Sequence, residues 1–360
     1  MSGQAKTATS PDNRDTAGLL GRWDELRERE SFSILAAIVF VIGFPMVFTN
    51  LPLFNGYMSL VELIYIWSIF AIGFDLLLGY TGLLSFGHAV FWGGSAYAAG
   101  LFSANVYGEP LTMVLVATVT AVVLALIIGV LSLRRGGIYF AILTLAFGQM
   151  MYFLALGPLG DLTGGEDGFT GVSVKPLLGG LSLEREFAGI LGTLLHDISY
   201  VLFAGFFVLT VAAAVRIVRS PYGAIFQAIA ENEQRVRFLG LNVWRYKLTA
   251  FVLSGAFAGI AGGLHTIHAQ YVAVGSVYWI TSGDIVIITV LGGVGSIFGP
   301  VAGSIAFLYI ENIISGEIAF WLLVLGSLFV SVVWLFPAGI WGIITGIRST
   351  VRARLLGDDS

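Results

Sequence analysis

The chain has 360 residues, of which 57% are hydrophobic and only 11% are charged. Soluble domains carry about 25% charged residues, so this composition excludes a soluble globular protein. The 47 glycines favour closely packed membrane helices, and the absence of cysteine excludes disulfides and thiolate metal sites. The sequence therefore predicts an all-α integral membrane protein.

The chain begins with a polar, mixed-charge segment, residues 1–31, that lacks the apolar core and cleavage site of a signal peptide. We expect a disordered cytoplasmic tail there and a transmembrane domain over 32–345. About ten apolar segments are long enough to span a membrane, and the third, eighth and ninth are glycine-rich and expected to be broken or partly re-entrant. The predicted spans are 32–50, 58–79, 84–105, 111–133, 138–157, 199–218, 248–268, 282–296, 299–316 and 319–344.

The placement of basic residues tests this count, because Lys and Arg gather in cytoplasmic segments. With the N-terminus inside, ten spans place 16 of the 18 Lys and Arg on the cytoplasmic side, leaving only Lys175 and Arg185 outside. This predicts an even number of spans with both termini cytoplasmic, the second being a tail over 346–360. Two other segments lie outside the membrane, an acidic outer loop at 158–198 and an inner segment at 219–247.

Two glycine-rich stretches resemble each other. Residues 78–82 read Leu-Gly-Tyr-Thr-Gly and Phe-Gly follows at 86–87, whereas residues 291–295 read Leu-Gly-Gly-Val-Gly with Phe-Gly at 298–299. The echo is either an internal pseudo-repeat of the kind that places a transport pathway between two halves, or a chance likeness of apolar segments. Six glycines are expected to break helices and allow close packing: Gly79, Gly82, Gly87, Gly292, Gly295 and Gly299.

The inner segment 219–247 has the pattern of capped, amphipathic helix. Ser220 and Pro221 suit an N-cap and a first helical position, and Gly240 suits a left-handed helix end. One interpretation is a connector held at the lipid headgroups by its arginines. The other is a docking surface for another protein.

Ionisable residues inside predicted spans are functional candidates, because a charge at mid-membrane costs several kcal/mol unless it faces a cavity or a partner. We expect Asp75 and His88 to lie near one glycine-rich turn, where they would meet either as a site or as a structural pair. Glu62 and Glu311 sit close enough to span ends to reach water, and Gln149 suits a hydrogen bond to substrate or to a neighbouring helix. The pathway or substrate candidates are Asp75, His88, Gln149, Asp284 and Glu311.

The sequence from Ser-Pro-Tyr-Gly-Ala to Gly-Gly-Leu, residues 220–264, resembles the cytoplasmic coupling loop and following span of the LivM-type permeases, which belong to branched-chain amino-acid ABC importers. Residues 73–100 are similar to the early span pair of that family. Residues 136–172 resemble its mid-chain span and outer loop, and 290–307 its late glycine-rich pair. The four stretches occur in order, and together they cover residues 58–345.

The resemblance implies a permease subunit that moves branched-chain or other hydrophobic amino acids across the inner membrane. Related permeases handle urea, short amides or aromatic acids, which are the alternative cargoes. An acidic residue followed by glycine at nearly fixed spacing, the family's coupling pattern, falls on Glu231 and Gly240. The residues expected to couple to the ATPase are Glu231, Asn232, Arg235, Gly240 and Asn242.

The resemblance also implies the partners: a second, LivH-like permease subunit, two ABC ATPase subunits, and a periplasmic or extracellular substrate-binding protein at 158–198. Membrane lipid is a further expected partner, and nucleic acid is not. No glycine in the chain is followed by lysine, so the phosphate-binding G-x-x-x-x-G-K-[ST] loop is absent. We therefore expect no cofactor on this chain and ATP on the partner subunits.

Two other classes compete with this interpretation. An ion-coupled carrier or channel would suit the acids Asp75, Asp284 and Glu311, but it leaves the coupling pattern unexplained. A membrane enzyme is disfavoured because the sequence has no cysteine, no metal-spaced histidines and no G-x-S-x-G motif. We expect a transport subunit with neither a catalytic residue nor a metal site.

Overall fold

The computed structural model describes residues 33–44, 58–134, 136–183, 196–317, 320–336 and 338–343. Over these residues the protein is a bundle of helices, which confirms the all-α prediction. The predicted tails at 1–31 and 346–360 lie outside the described residues. The helices are α1 (Ser33–Phe44), α2 (Met58–Thr81), α3 (His88–Asn105), α4 (Pro110–Ser132), α5 (Ile138–Leu156), α6 (Ile198–Val218), α7 (Pro221–Phe238), α8 (Val243–Ala269), α9 (Trp279–Gly292), α10 (Gly299–Tyr309) and α11 (Trp321–Leu335).

Each predicted span corresponds to one apolar helix, and the inner segment forms α7. Within the described residues, five helices are long and apolar enough to cross a membrane, namely α2, α4, α5, α6 and α8. The third predicted span starts later than expected, at His88, and is continuous from there. The eighth and ninth predicted spans are short helices, α9 and α10, and a π-helical turn at Ile310–Ile314 extends α10.

Helix α8 lies near the centre of the bundle and packs closely against α4. Glycines repeat every four residues along one face of α8, and alanines with the same spacing face them from α4. A Cβ atom on any of these glycines would lie 2.5–2.7 Å from an alanine Cβ. This small-residue contact lets the two backbones approach, as is typical of membrane helices. The contacting pairs are Gly255 with Ala125, Gly259 with Ala121, and Gly263 with Ala117.

Helix α2 is the other central element, and tyrosines tie its outer half to α1 and α6. The Tyr65 and Tyr200 hydroxyls lie 2.9 Å apart, and the Tyr200 hydroxyl donates to the Val41 carbonyl at 2.5 Å. Phe70 and Phe74 on α2 are fully buried. Because polar groups in a membrane interior need partners from the protein itself, these bonds fix the three helices relative to one another.

Two non-helical breaks interrupt the bundle at the two glycine-rich stretches that resemble each other in sequence. The first break, residues 82–87, joins α2 to α3, and the second break, residues 293–298, joins α9 to α10. Gly82 and Gly295, which are equivalent in the echo, both have positive φ, +71° and +76°. The two backbones agree at this position but not throughout, because Gly293 has φ +122° whereas the equivalent Tyr80 is still in α2.

The described part of the outer loop is tied to the helices below it. Phe169 pairs with Val272 through two backbone hydrogen bonds of 2.9 and 3.0 Å, and the Lys175 N–H donates to the Gly108 carbonyl at 2.8 Å. The loop thus presents a fixed surface above α3 and α8.

Candidate functional sites

Helix α7 begins where the sequence predicts. Pro221 occupies the first turn after Ser220, whose backbone is extended as an N-cap requires. The Ser220 hydroxyl does not cap the helix, because it donates instead to the Ile217 carbonyl at 2.6 Å. The starting position was predicted correctly, whereas the capping bond was not.

Helix α7 has a kink in its middle that was not predicted from the sequence. Asn232 has φ −160° and ψ 99°, which are not helical values, and its side-chain oxygen accepts a 3.1 Å hydrogen bond from the Arg235 N–H. Asn232 therefore acts as an N-cap for a second short helix inside α7. Asparagine is among the strongest N-cap residues, so this signal was available in the sequence.

The end of α7 agrees with the prediction. Gly240 has φ +80°, the left-handed conformation expected there, and a side chain at this position would meet open space. Asn242 then caps α8, since its side-chain oxygen accepts from the Arg245 N–H at 3.3 Å. Phe238 and Leu239, just before the turn, are 89% and 77% exposed. The end of α7, which we call its tip, therefore presents two solvent-exposed apolar side chains beside the turn at Gly240.

An ion-pair cluster ties the second half of α7 to α8. Glu233 accepts a 2.5 Å hydrogen bond from the Lys247 ammonium and also pairs with Arg237. Partial burial raises the pKa of Glu233, but the bonds and charges of Lys247 and Arg237 outweigh it and hold that pKa below its usual value. A cavity of about 550 Å³ lies beside this cluster, lined also by Arg134 and Trp244. Neither Glu233 nor Lys247 was predicted from the sequence to be a functional residue.

Asp75 and His88 do not meet, contrary to one expectation. The His88 Nε2 atom lies 2.8 Å from the Ser254 hydroxyl, and the ring is fully buried among aromatic side chains. The Asp75 carboxylate instead accepts a 2.8 Å hydrogen bond from the Gly295 N–H, in the second break. Each residue joins α2 or α3 to a distant part of the chain.

The predicted glycines sit where the backbone leaves no room for a side chain or requires positive φ. A Cβ on Gly79 would overlap the Gly295 backbone, and one on Gly87 would overlap Thr144. A Cβ on Gly292 would likewise overlap the carbonyl group of Gly299. Their predicted roles in packing and helix breaking agree with this geometry.

Asp284 and Glu311 lie close enough to interact electrostatically, one on α9 and the other in the π-helical turn after α10. Both are partly exposed at the surface of the single chain, and within the described residues no Lys or Arg pairs with either. π-helical turns inside membrane helices often occur at functional positions. Gln149, partly exposed on the neighbouring α5, is the remaining pathway candidate.

Glu62 is largely buried, at 8% exposed, and it lines a small surface cavity of about 140 Å³. Its carboxylate accepts from the Ser199 hydroxyl at 2.5 Å and lies 2.9 Å from the His268 Nδ1 atom. Asp197, which caps α6, also contacts the Ser199 hydroxyl at 2.9 Å. These four residues form a polar cluster that joins the outer ends of α2, α6 and α8.

The bundle of long apolar helices is that of a multi-pass membrane protein. A family profile described as "Branched-chain amino acid transport system / permease component" matches residues 56–333. The chain therefore belongs to that family of permease components, and it is a permease subunit of an ABC importer in the inner membrane. It is a transport subunit rather than an enzyme.

Curated relatives agree with this assignment. The "High-affinity branched-chain amino acid transport system permease protein LivM" of Escherichia coli is 30% identical over 87% of this chain and 75% of its own length, and that of Salmonella typhimurium is 28% identical over the same shares. A "Probable branched-chain amino acid transport permease protein LivH" of Methanocaldococcus jannaschii is 28% identical over 33% of this chain and 38% of its own length. Importers of this kind thus contain more than one permease subunit. No solved structure matches the chain significantly.

Proposed function

We propose that this permease subunit carries branched-chain or other hydrophobic amino acids inward, together with a second, LivH-like permease subunit, two ATPase subunits and an outer substrate-binding protein. The observation that carries the proposal is α7, an ordered cytoplasmic helix that ends on exposed Phe238 and Leu239. ATP is bound by the partner subunits and not by this chain. The printed names of the LivM relatives support the cargo.

The ATPase binds the tip of α7. Exposed apolar side chains on a water-facing surface indicate a protein partner, and Phe238 and Leu239 stand beside charged Arg235 and Arg237. The turn at Gly240 and the cap at Asn242 hold these side chains in a fixed position, so a push on the tip acts on the second half of α7 and reaches the first half through the kink at Asn232. Glu231 and Arg235, both exposed, complete the contact surface.

The side of the chain that faces the transport pathway carries Asp284 and Glu311. Carboxylates exposed on a membrane helix without a basic partner are costly against lipid, so the face that bears them lines water or another subunit. Gln149 on α5 belongs to the same side, because α5 packs against α9. The second permease subunit completes the pathway over this face.

The outer loop receives the binding protein. Its described part carries three exposed acids, Asp161, Glu166 and Asp167, and backbone bonds hold it on the bundle. Such an acidic, ordered surface is complementary to a basic patch on a soluble partner.

Purification from native membranes tests the ATPase contact. We expect a cytoplasmic ATPase and a second permease to co-purify with the tagged wild-type chain in mild detergent, and the ATPase to be lost in Gly240→Trp. Gly240→Asn is the matched control, because asparagine tolerates the left-handed backbone and adds little bulk. Co-purification of the ATPase with the tryptophan variant, or its absence from the wild type, would contradict the proposal.

Uptake into cells tests both coupling and cargo. Glu231→Lys reverses a charge on the contact surface. Because this side chain is exposed, the substitution should leave the fold intact. We therefore expect uptake to be abolished while the amount of the protein in the membrane is unchanged. Unlabelled leucine, isoleucine and valine should compete with labelled leucine. Competition by urea, a short amide or an aromatic acid instead would replace the proposed cargo and leave the subunit assignment standing.

A further inference from the structure

The buried carboxylate of Asp75 has no role in the proposed pathway, and its surroundings point to a mechanical one. Its side chain is 1% exposed and lies near the cytoplasmic end of α2. Among the described residues no Lys, Arg or His forms an ion pair with it. Its partners are backbone groups, the N–H of Gly295 at 2.8 Å and a second hydrogen bond from Ser296.

These bonds add a polar connection between α2 and the second break, beside the apolar packing of α2 against α9 and α10, which includes Trp67 against Phe307. One turn beyond Asp75, Gly79 presses directly on the Gly295 backbone, with no room for a Cβ atom between them. Asp75 and Gly79 share one face of α2, because residues four apart are neighbours on a helix. The carboxylate therefore holds the second break against the end of α2. Because the second break joins α9 to α10, the helical hairpin that these two helices form, the α9–α10 hairpin, is held there as well.

The same end of α2 also contacts α7. A Cβ placed on Gly82, in the first break, would lie 3.5 Å from the Ala230 backbone and side chain of α7. The contact with α7 at Gly82, just beyond the end of α2, and the contact with the hairpin at Asp75 are thus seven residues apart along the chain. A displacement of α7 reaches the hairpin through this short stretch.

We infer that Asp75 is a positioning residue that couples α7 to the α9–α10 hairpin, so that movement imposed on α7 by the ATPase is passed to the elements that carry Asp284 and Glu311. The inference rests on the proposed function, since it takes the ATPase to act on α7. Asp75 itself touches neither cargo nor nucleotide. A positioning role also explains why its partners are backbone amides in a helix break rather than a second charge.

The first test compares Asp75→Asn with Asp75→Leu in the complete transporter, purified with its partner subunits and reconstituted with binding protein. Asparagine keeps an oxygen that accepts from the Gly295 N–H, whereas leucine has a similar size and no acceptor. We expect the asparagine variant to retain transport per ATP hydrolysed. In the leucine variant hydrolysis should continue while transport per ATP falls by about tenfold, the size of effect expected from losing a hydrogen bond to a charged group.

A merely structural role gives a different result. Transport and ATP hydrolysis would then fall together in the leucine variant, in proportion to the amount of assembled complex, and transport per ATP would not change. That outcome, or equal transport per ATP in both variants, overturns the inference.

A second test keeps Asp75 and so does not depend on the leucine variant folding. The chain contains no cysteine, and Val294 in the second break is 46% exposed. In a Val294→Cys variant that retains uptake, we expect the rate of labelling by a water-soluble maleimide to change when the transporter is trapped with ATP and vanadate. Leu178→Cys, an exposed position on the outer loop, is the control for the reagent.

The outcomes separate the inference from the proposed function. If no ATPase co-purifies with the chain, the proposed function fails. If the ATPase is present and drives transport but nucleotide leaves labelling at position 294 unchanged, only the inference fails. A nucleotide-dependent change that disappears in Asp75→Leu supports both.

Discussion

Three carboxylates in the membrane domain are accommodated in different ways. Asp75 is fully buried and bonded to backbone amides, and Glu62 is buried and bonded to Ser199 and His268. Asp284 lies at the surface of the single chain beside a second acid. The sequence identified all three as unusual, because each lies in an apolar span. It did not predict their partners, since Gly295 and His268 lie about 200 positions away along the chain and only the tertiary arrangement brings them close.

The Glu62 cluster predicts a stability effect. Glu62→Leu leaves His268 without its partner in a part-buried site, while Ser199 keeps its bond to Asp197, and one unsatisfied polar group costs about 1–3 kcal/mol. We expect a clear drop in the thermal unfolding midpoint of the purified protein in detergent. Glu166→Leu, at an exposed acid of the outer loop, should leave the midpoint nearly unchanged. Equal midpoints for the two variants would show that the cluster does not stabilise the fold.

At the scale of secondary-structure elements, sequence patterns were most reliable for helices whose bounds are decided by the length of the hydrophobic segment alone. The long spans α4, α5 and α6 and the helix end at Gly240 were predicted closely, because length and a left-handed glycine are local properties. The kink at Asn232 was missed because helical charge spacing continues through it. The bond between Glu233 and Lys247 was also missed, since it links α7 to α8 across the turn at Gly240.

The Glu233 ion pairs predict how firmly α7 is held. Glu233→Gln removes the charge that binds Lys247 and Arg237, so the second half of α7 should detach more often, and its backbone at the already exposed Arg235 should fit a protease more readily. We expect faster tryptic cleavage there in inside-out vesicles, measured by mass spectrometry of the fragments. Glu231→Gln removes a nearby exposed acid and should leave the rate unchanged.

The same pairs give this effect a pH dependence. The pKa of Glu233 in the folded protein lies below its usual value of 4.5, so the pairs stabilise α7 fully above that value. Their contribution is lost as pH falls through the lowered pKa. Cleavage of the wild type by an acid-active protease should therefore approach that of Glu233→Gln only in strongly acidic buffer, and a difference that persisted there would contradict this assignment.

At the scale of the whole molecule, the even number of spans and the orientation stay predictions that rest on the distribution of basic residues. The absence of cysteine allows a direct test with single-cysteine variants. We expect Phe238→Cys, at the tip of α7, to react with an impermeant maleimide only from the cytoplasmic side. Glu166→Cys should react only from the outside. Labelling of both positions from one side would show that the span count or the orientation is wrong.

The short length of α9 has a consequence for the surrounding lipid. Its 14 residues rise about 21 Å, less than the roughly 30 Å of hydrocarbon in a typical bilayer. The acyl chains beside α9 must therefore compress, or the second permease must cover this side. A thicker bilayer raises the cost of this mismatch wherever lipid touches α9. Bilayer thickness would then act on the same hairpin that Asp75 holds, and the acyl-chain length of the host membrane would set how easily that hairpin moves.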